Sequence, residues 1–221
     1  MRLKKLQFAA LSSLCAAGLL AAPNVDRIQE LAQQRYGQRG LQAMQSWRDQ
    51  VNALKRASEE DQVRRINEFV NKRIFFSDDL SVWNEKDYWA TPLESLGRGA
   101  GDCEDFAIAK YITLRTLGVD NDKLRMSYVK ARIGGPGSKI SEAHMVLGYY
   151  PTPDSEPYIL DNLIGDVRPA SSRSDLTPVF SFNSEGIWTG TSPAASSAGS
   201  ATARLSRWRD VIARLQAEGF E

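Results

Sequence analysis

Beyond its first twenty-two residues the chain holds one cysteine, Cys103, and in its whole length it holds one histidine, His144. A thiol and an imidazole together suffice for a cysteine nucleophile and its base. Cys103 sits in Gly99-Ala-Gly-Asp-Cys103-Glu-Asp-Phe-Ala-Ile-Ala-Lys-Tyr111, a glycine-rich turn feeding a helix. That places the sulfur on the first helical turn, where unpaired N–H groups and the positive end of the helix dipole favour the thiolate. His144 opens the strand-like run His144–Tyr150, and Asp161 closes the next one, Tyr158–Asp161. Antiparallel pairing of the two runs brings the start of one beside the end of the other. Cys103, His144 and Asp161 then converge as nucleophile, base and the carboxylate that fixes the base's tautomer. Asp166 is the alternative carboxylate, and Asp161 could instead cap a turn beside Asn162. A lone buried cysteine can also be inert core.

Three acids crowd the thiol: Asp102, Glu104 and Asp105. By charge alone they oppose thiolate formation, so something must offset them. In one reading Asp102 is the N-cap and Asp105 the third helical residue, both welcome at the dipole's positive end. In the other, their hard oxygens hold a calcium ion, although no DxDxDG loop is present.

The elements that must position these groups are legible in outline. Residues 24–55 read as two amphipathic helices separated by Gly37 and Gly40, and Ser58-Glu-Glu-Asp61 caps a third carrying Val63, Ile66, Phe69, Val70 and Ile74. A loop dense in aromatics and breakers, Phe75 to Gly101, then delivers the chain to Cys103. The helix that follows is apolar on nearly all sides and stops at Gly118, as suits a helix buried against a sheet. Arg125–Arg132, His144–Tyr150 and Tyr158–Asp161 read as strands joined by glycine- and proline-rich turns. Residues 191–202, rich in Ser, Ala and Gly, read as a flexible connector, and 203–216 as a C-terminal amphipathic helix.

Met1-Arg-Leu-Lys-Lys, the apolar run Leu6–Leu20 and Ala21-Ala22-Pro23 have the charged, apolar and small-residue order of a secretory signal over residues 1–22, leaving 23–221 as one domain. Export would place Cys103 in a disulfide-permissive compartment without an intramolecular partner, so a free thiol there needs a purpose. The formal net charge of +1 carries no nucleic-acid signature.

The runs Asp87-Tyr-Trp-Ala-Thr-Pro-Leu-Glu94, Gly99–Tyr111, Ala143-His-Met-Val-Leu147 and Ile159-Leu-Asp-Asn162 resemble the bacterial transglutaminase-like cysteine proteases of the LapG type. The resemblance covers most of residues 23–221. It implies an α+β, papain-like and transglutaminase-like fold, with N-terminal helices and a central nucleophile helix packed on an antiparallel sheet. It implies a Cys103, His144, Asp161 triad, with Ca²⁺ held by Asp102 and Glu104 and optionally Asp105. Family members are periplasmic enzymes that cut a di-alanine site near the N-terminus of a large surface adhesin, dispersing biofilm. An inner-membrane cyclic-di-GMP receptor of the LapD type sequesters them. Trp89 matches the family's aromatic stretch and is assigned to the cleft or the receptor contact, with ordinary core packing as the alternative.

The same triad would serve a transglutaminase acting on protein glutamine, or an arylamine acetyltransferase, although export argues against coenzyme A chemistry. A calcium-dependent binding module with a vestigial triad is the non-enzymatic alternative.

Overall fold

The computed structural model describes residues 22–152, 154–190 and 202–220, so residues 1–21 of the expected signal segment, with Cys15, and residues 191–201 of the expected connector lie outside the described residues. Helix α1 (Val25–Leu54) is capped by Asn24, whose side chain accepts from the Arg27 N–H. Gly37, at φ +62°, breaks it into the two helical segments read from the sequence. Helix α2 (Glu59–Arg73) starts at Ser58, whose hydroxyl accepts from the Asp61 N–H, and buries Val63, Ile66 and Val70.

The stretch read as an irregular loop is more ordered than that. It contains β1 (Phe75–Phe76), α3 (Asp79–Trp83), α4 (Pro92–Arg98) and β2 (Ala100–Gly101). Helix α4 carries a reciprocal cap in which Thr91 accepts from the Glu94 N–H and Glu94 accepts from the Thr91 N–H, with Pro92 at the first helical position. Strands β1 and β2 pair in parallel, Phe75 with Ala100 and Phe76 with Gly101. Their continuations therefore leave from the same end, so the starts of α3 and of α5 (Cys103–Thr116) come to lie side by side.

Helix α5 buries Phe106, Ile108, Ala109, Tyr111, Ile112 and Leu114 and ends before Gly118, at φ +93°. It packs on a six-stranded antiparallel sheet made of β3 (Leu124–Ile133), β4 (Ile140–Tyr149), β5 (Tyr158–Leu160), β6 (Arg168–Pro169), β7 (Leu176–Phe182) and β8 (Ile187–Thr189), in the order β6-β5-β4-β3-β7-β8. The β3-β4-β5 meander matches the sequence reading, whereas β6, β7 and β8 were not anticipated. Leu124, Met126, Met145, Leu147 and Phe182 meet α5 in the main core. The C-terminal helix α6 (Thr202–Glu218) closes this core with Trp208, Val211 and Leu215, and Trp208 meets Tyr111 edge-on at 5.5 Å. Among the described residues no helix is long and apolar enough to cross a membrane.

Candidate active site

His144 and Asp161 meet as the meander requires. Leu147 pairs with Leu160, so Asp161 emerges just past β5 opposite Val146, two residues along β4 from His144. His144 Nε2 lies 2.8 Å from Asp161 Oδ1, with both side chains buried. The Leu163 N–H donates to the same oxygen at 3.0 Å, and Arg173 Nη2 donates to Asp161 Oδ2 at 2.7 Å. Burial alone would raise the Asp161 pKa. The hydrogen bond and charge of His144, the Leu163 amide and Arg173 outweigh it and hold the carboxyl down at about 2. Asp161 is thus ionised, with both oxygens engaged. The alternative carboxylate, Asp166, is exposed and paired with Arg168 instead.

Cys103 is the first residue of α5, half-buried and not in a disulfide. Its thiol donates its one hydrogen to Glu104 Oε2 at 2.9 Å, so in this rotamer the proton is not shared with His144. The Met145 amide, next in sequence to His144, lies near enough to favour the thiolate. Burial pushes the thiol pKa up, and the charge and hydrogen bond of Glu104 and the charge of Asp102 push it further, against the help of that amide. A cleft of about 290 Å³ opens over the thiol, lined by Trp89, Tyr128, Ala143, Met145 and the surrounding acids.

Asp102 occupies the N-cap position of α5, yet its Oδ1 is buried without a hydrogen-bond partner. Asp105 does the tethering: Oδ1 accepts from the Ala90 N–H at 2.7 Å and Oδ2 from the Asp102 N–H at 3.3 Å. A side chain at Gly101 would collide with this carboxylate, since an added Cβ would lie 2.4 Å from Asp105 Oδ2.

Two further acids join the cluster from a distance in sequence. Asp79, on the first turn of α3, accepts the Tyr88 N–H with Oδ2 while its Oδ1 is buried and unpartnered. Asp87 follows α3 and pairs with Arg207 of α6 at 2.9 Å. Carboxylate oxygens of Asp79, Asp102 and Asp105, and of Asp79, Asp87 and Glu104, lie within 4.8 Å of one another. Burial and mutual repulsion raise Asp102 strongly and raise Asp79 to about 6, while burial raises Asp105 well above the ordinary range. Buried, orphaned and mutually repelling oxygens are a donor set suited to a hard divalent cation. That fit favours the ion over a simple helix cap.

Trp89 is 4% exposed and stacks on Phe182 at 5.7 Å, so most of its ring is core, with an edge reaching the cleft. Its backbone is held from α6: Arg214 donates to Trp89 O at 2.6 Å and Tyr88 Oη at 3.0 Å, and pairs with Glu94. Asp79 and Arg173 escaped the sequence reading. Both reach the site through pairings distant in sequence.

The chain belongs to the bacterial transglutaminase-like cysteine proteinase family, whose model matches residues 31–178, well over half of its length. Among solved structures it is similar to calcium-bound LapG of Legionella pneumophila, at 38% identity and a TM-score of 0.73, covering 86% of this chain and 98% of that one. EGTA-treated LapG of the same organism matches at 37% identity and a TM-score of 0.73, covering 88% and 100%. The mixed helical and antiparallel architecture is accordingly a transglutaminase-like fold. No curated protein sequence matches the chain.

Proposed function

We propose that this chain is a calcium-dependent cysteine endopeptidase with Cys103 as nucleophile, His144 as base and Asp161 as its orienting carboxylate. The observation that carries the reading is the buried 2.8 Å contact of His144 with Asp161, near a helix-borne thiol that lines one cleft with the next residue of the same strand. Because Nε2 faces the carboxylate, the proton resides there and Nδ1 is left basic. Rotation of the thiol away from Glu104 lets Nδ1 take its proton. The sulfur attacks the peptide carbonyl, the oxygen gains charge against the Cys103 N–H, and the imidazolium returns its proton to the leaving amine. Water activated by His144 then opens the thioester and frees the enzyme.

Asp102, Glu104 and Asp79 would hold calcium, with Asp87 adjoining and Asp105 bracing the turn through its two backbone bonds. When bound, the ion supplies positive charge that draws the Glu104 and Asp102 carboxylates away from opposing the thiolate.

Likeness to LapG-type proteases further supports a periplasmic enzyme, exported by residues 1–22. On that reading it cuts a large surface adhesin near its N-terminus at a di-alanine site, promotes biofilm dispersal, and is sequestered by a LapD-type cyclic-di-GMP receptor. The test is incubation with N-terminal fragments of the host's own surface adhesins, with Ca²⁺ or EGTA, and mass spectrometry of the products. One cut between small residues, lost in EGTA, is expected. An amine joined to glutamine would replace the protease reading with a transglutaminase, and a Cys103 that reacts with iodoacetamide no faster than a free thiol, with no product formed, would leave a binding module.

A further inference from the structure

The face of the sheet turned away from α5 carries a feature that peptide hydrolysis does not use. Side chains alternate along a strand, so Val129 and Val146 oppose the main core and join Ile159 in a separate apolar cluster. Over this cluster opens a cavity of about 500 Å³, a volume typical of small-molecule sites. Two buried guanidinium groups line it. Arg125 is 7% exposed, framed by the rings of Tyr150 and Trp188 at 4.4 and 4.2 Å, and its Nε has no hydrogen-bond partner. Arg173 is 2% exposed and spends Nε and Nη2 on Asp175 and Asp161, while Nη1 has no partner.

These donors lie toward opposite ends of the cavity. Arg125 is four residues from Val129 along β3, roughly 13 Å in an extended strand. Leu176, three residues after Arg173, pairs with Ala131 beyond Val129. We infer that the cavity binds an elongated apolar carboxylic acid, its carboxylate on Arg125, its body over Val129, Val146 and Ile159, and a second acceptor on Arg173 Nη1. A ten-carbon chain with a carboxylate at each end has about this span and is the simplest probe. Asp154 and Glu156 also line the cavity, and their charges oppose any anion that does not engage a guanidinium directly. A ligand that reaches Arg173 is sensed at His144, because the same guanidinium holds Asp161 and Asp161 holds His144.

Binding does not depend on the proposed proteolytic function, and the coupling rests only on the contact of His144 with Asp161. The experiment is calorimetric titration of the protein with decanedioate, decanoate and decanediol, with the imidazole NMR signals of the sole histidine followed in parallel. Decanedioate should bind saturably, decanoate more weakly and decanediol not at all. Arg125→Met should lose about tenfold or more in affinity, the scale of one charge-assisted contact. The His144 resonances should shift with decanedioate and not with decanoate. No saturable binding overturns the site. Equal binding of the diol, or unchanged affinity in Arg125→Met, overturns the carboxylate assignment, and a motionless His144 at saturation overturns the link through Arg173. Cys103→Ala should bind the diacid like the parent chain, so failure here leaves the proteolytic reading intact.

Discussion

Arg173 Nη2 grips Asp161 Oδ2 at 2.7 Å from the side opposite His144, and both side chains of that ion pair are essentially inaccessible to water. The carboxylate is therefore fixed at both oxygens and cannot rotate away from the imidazole. Two opposite electrostatic regimes result a short distance apart. At His144 the acid is stabilised as an anion, whereas around Cys103 the acids repel one another, and of the cluster only Asp87 has an ion-pair partner among the described residues, Arg207. The first regime is complete within the chain and the second calls for a cation.

Removal of either reacting group should stop catalysis without unfolding the protein. Cys103→Ala and His144→Ala are each expected to lower turnover on the order of 10³-fold or more. Circular dichroism should be unchanged. Near-native turnover of either variant on a purified substrate would refute the triad.

Arg173→Gln should reveal a positioning role. It leaves Asp161 buried with one donor fewer and removes the partner of Asp175, at a cost of about 3 kcal/mol and several degrees in melting temperature. Looser orientation of His144 should lower kcat by about tenfold to a hundredfold with little change in KM. Arg173→Lys, which keeps the charge and loses the planar fork, should recover part of the loss. A stability loss with unaltered kcat would reduce Arg173 to a structural role.

Asp161 also sets an acid limit. Its folded pKa of about 2 lies below the unfolded value of about 3.9, so ionised Asp161 contributes about 2 to 3 kcal/mol of stability at neutral pH. That contribution is complete above about pH 4 and is lost as pH falls through about 2. Urea titrations of the parent chain and Asp161→Asn should show a stability gap that narrows across this window. A gap constant down to pH 2 would contradict the assigned environment.

Calcium at a hundredfold excess over its dissociation constant should stabilise the protein by about 2.7 kcal/mol, roughly 5 to 10 °C in melting temperature. Magnesium should do little, because it resists dehydration. Asp79→Asn should weaken this response as much as Asp102→Asn does, although Asp79 is remote from Cys103 in sequence. An Asp79 variant with full calcium response would remove α3 from the site.

The features legible in the sequence are the local ones. Cys103 and His144 stand out because each is rare, and the β3-β4-β5 meander because its turns are short. Asp79 is hidden, since only the β1–β2 pairing, two residues on each side, sets its helix beside α5. Arg173 lies beyond β6 in a segment without periodicity. Helix α4 was legible in Thr91-Pro-Leu-Glu94, a capping box with proline at the first helical position, but was outweighed by the surrounding aromatics and glycines. Strand β7 was masked by Pro178, which argues against an interior strand. The structure accommodates it at a register shift, where Phe180 pairs with Tyr128 and Pro178 with Val129, skipping Val179.

Thiol reactivity should report the cation directly. In the chain alone, burial and the carboxylates of Glu104 and Asp102 hold Cys103 as the thiol, and Glu104 accepts its proton. Since the thiolate is the species that reacts with iodoacetamide, alkylation at pH 7 should be slow in EGTA. Calcium bound by those carboxylates should lower the thiol pKa, and each unit of lowering raises the reactive fraction about tenfold. Alkylation followed by intact-mass spectrometry should therefore accelerate at least about tenfold on adding Ca²⁺. Glu104→Gln, which removes one opposing charge, should be faster than the parent in EGTA and gain less from calcium. Equal rates for the parent chain with and without calcium would mean that the acids do not govern the thiol, and the metal would then be left a structural task alone.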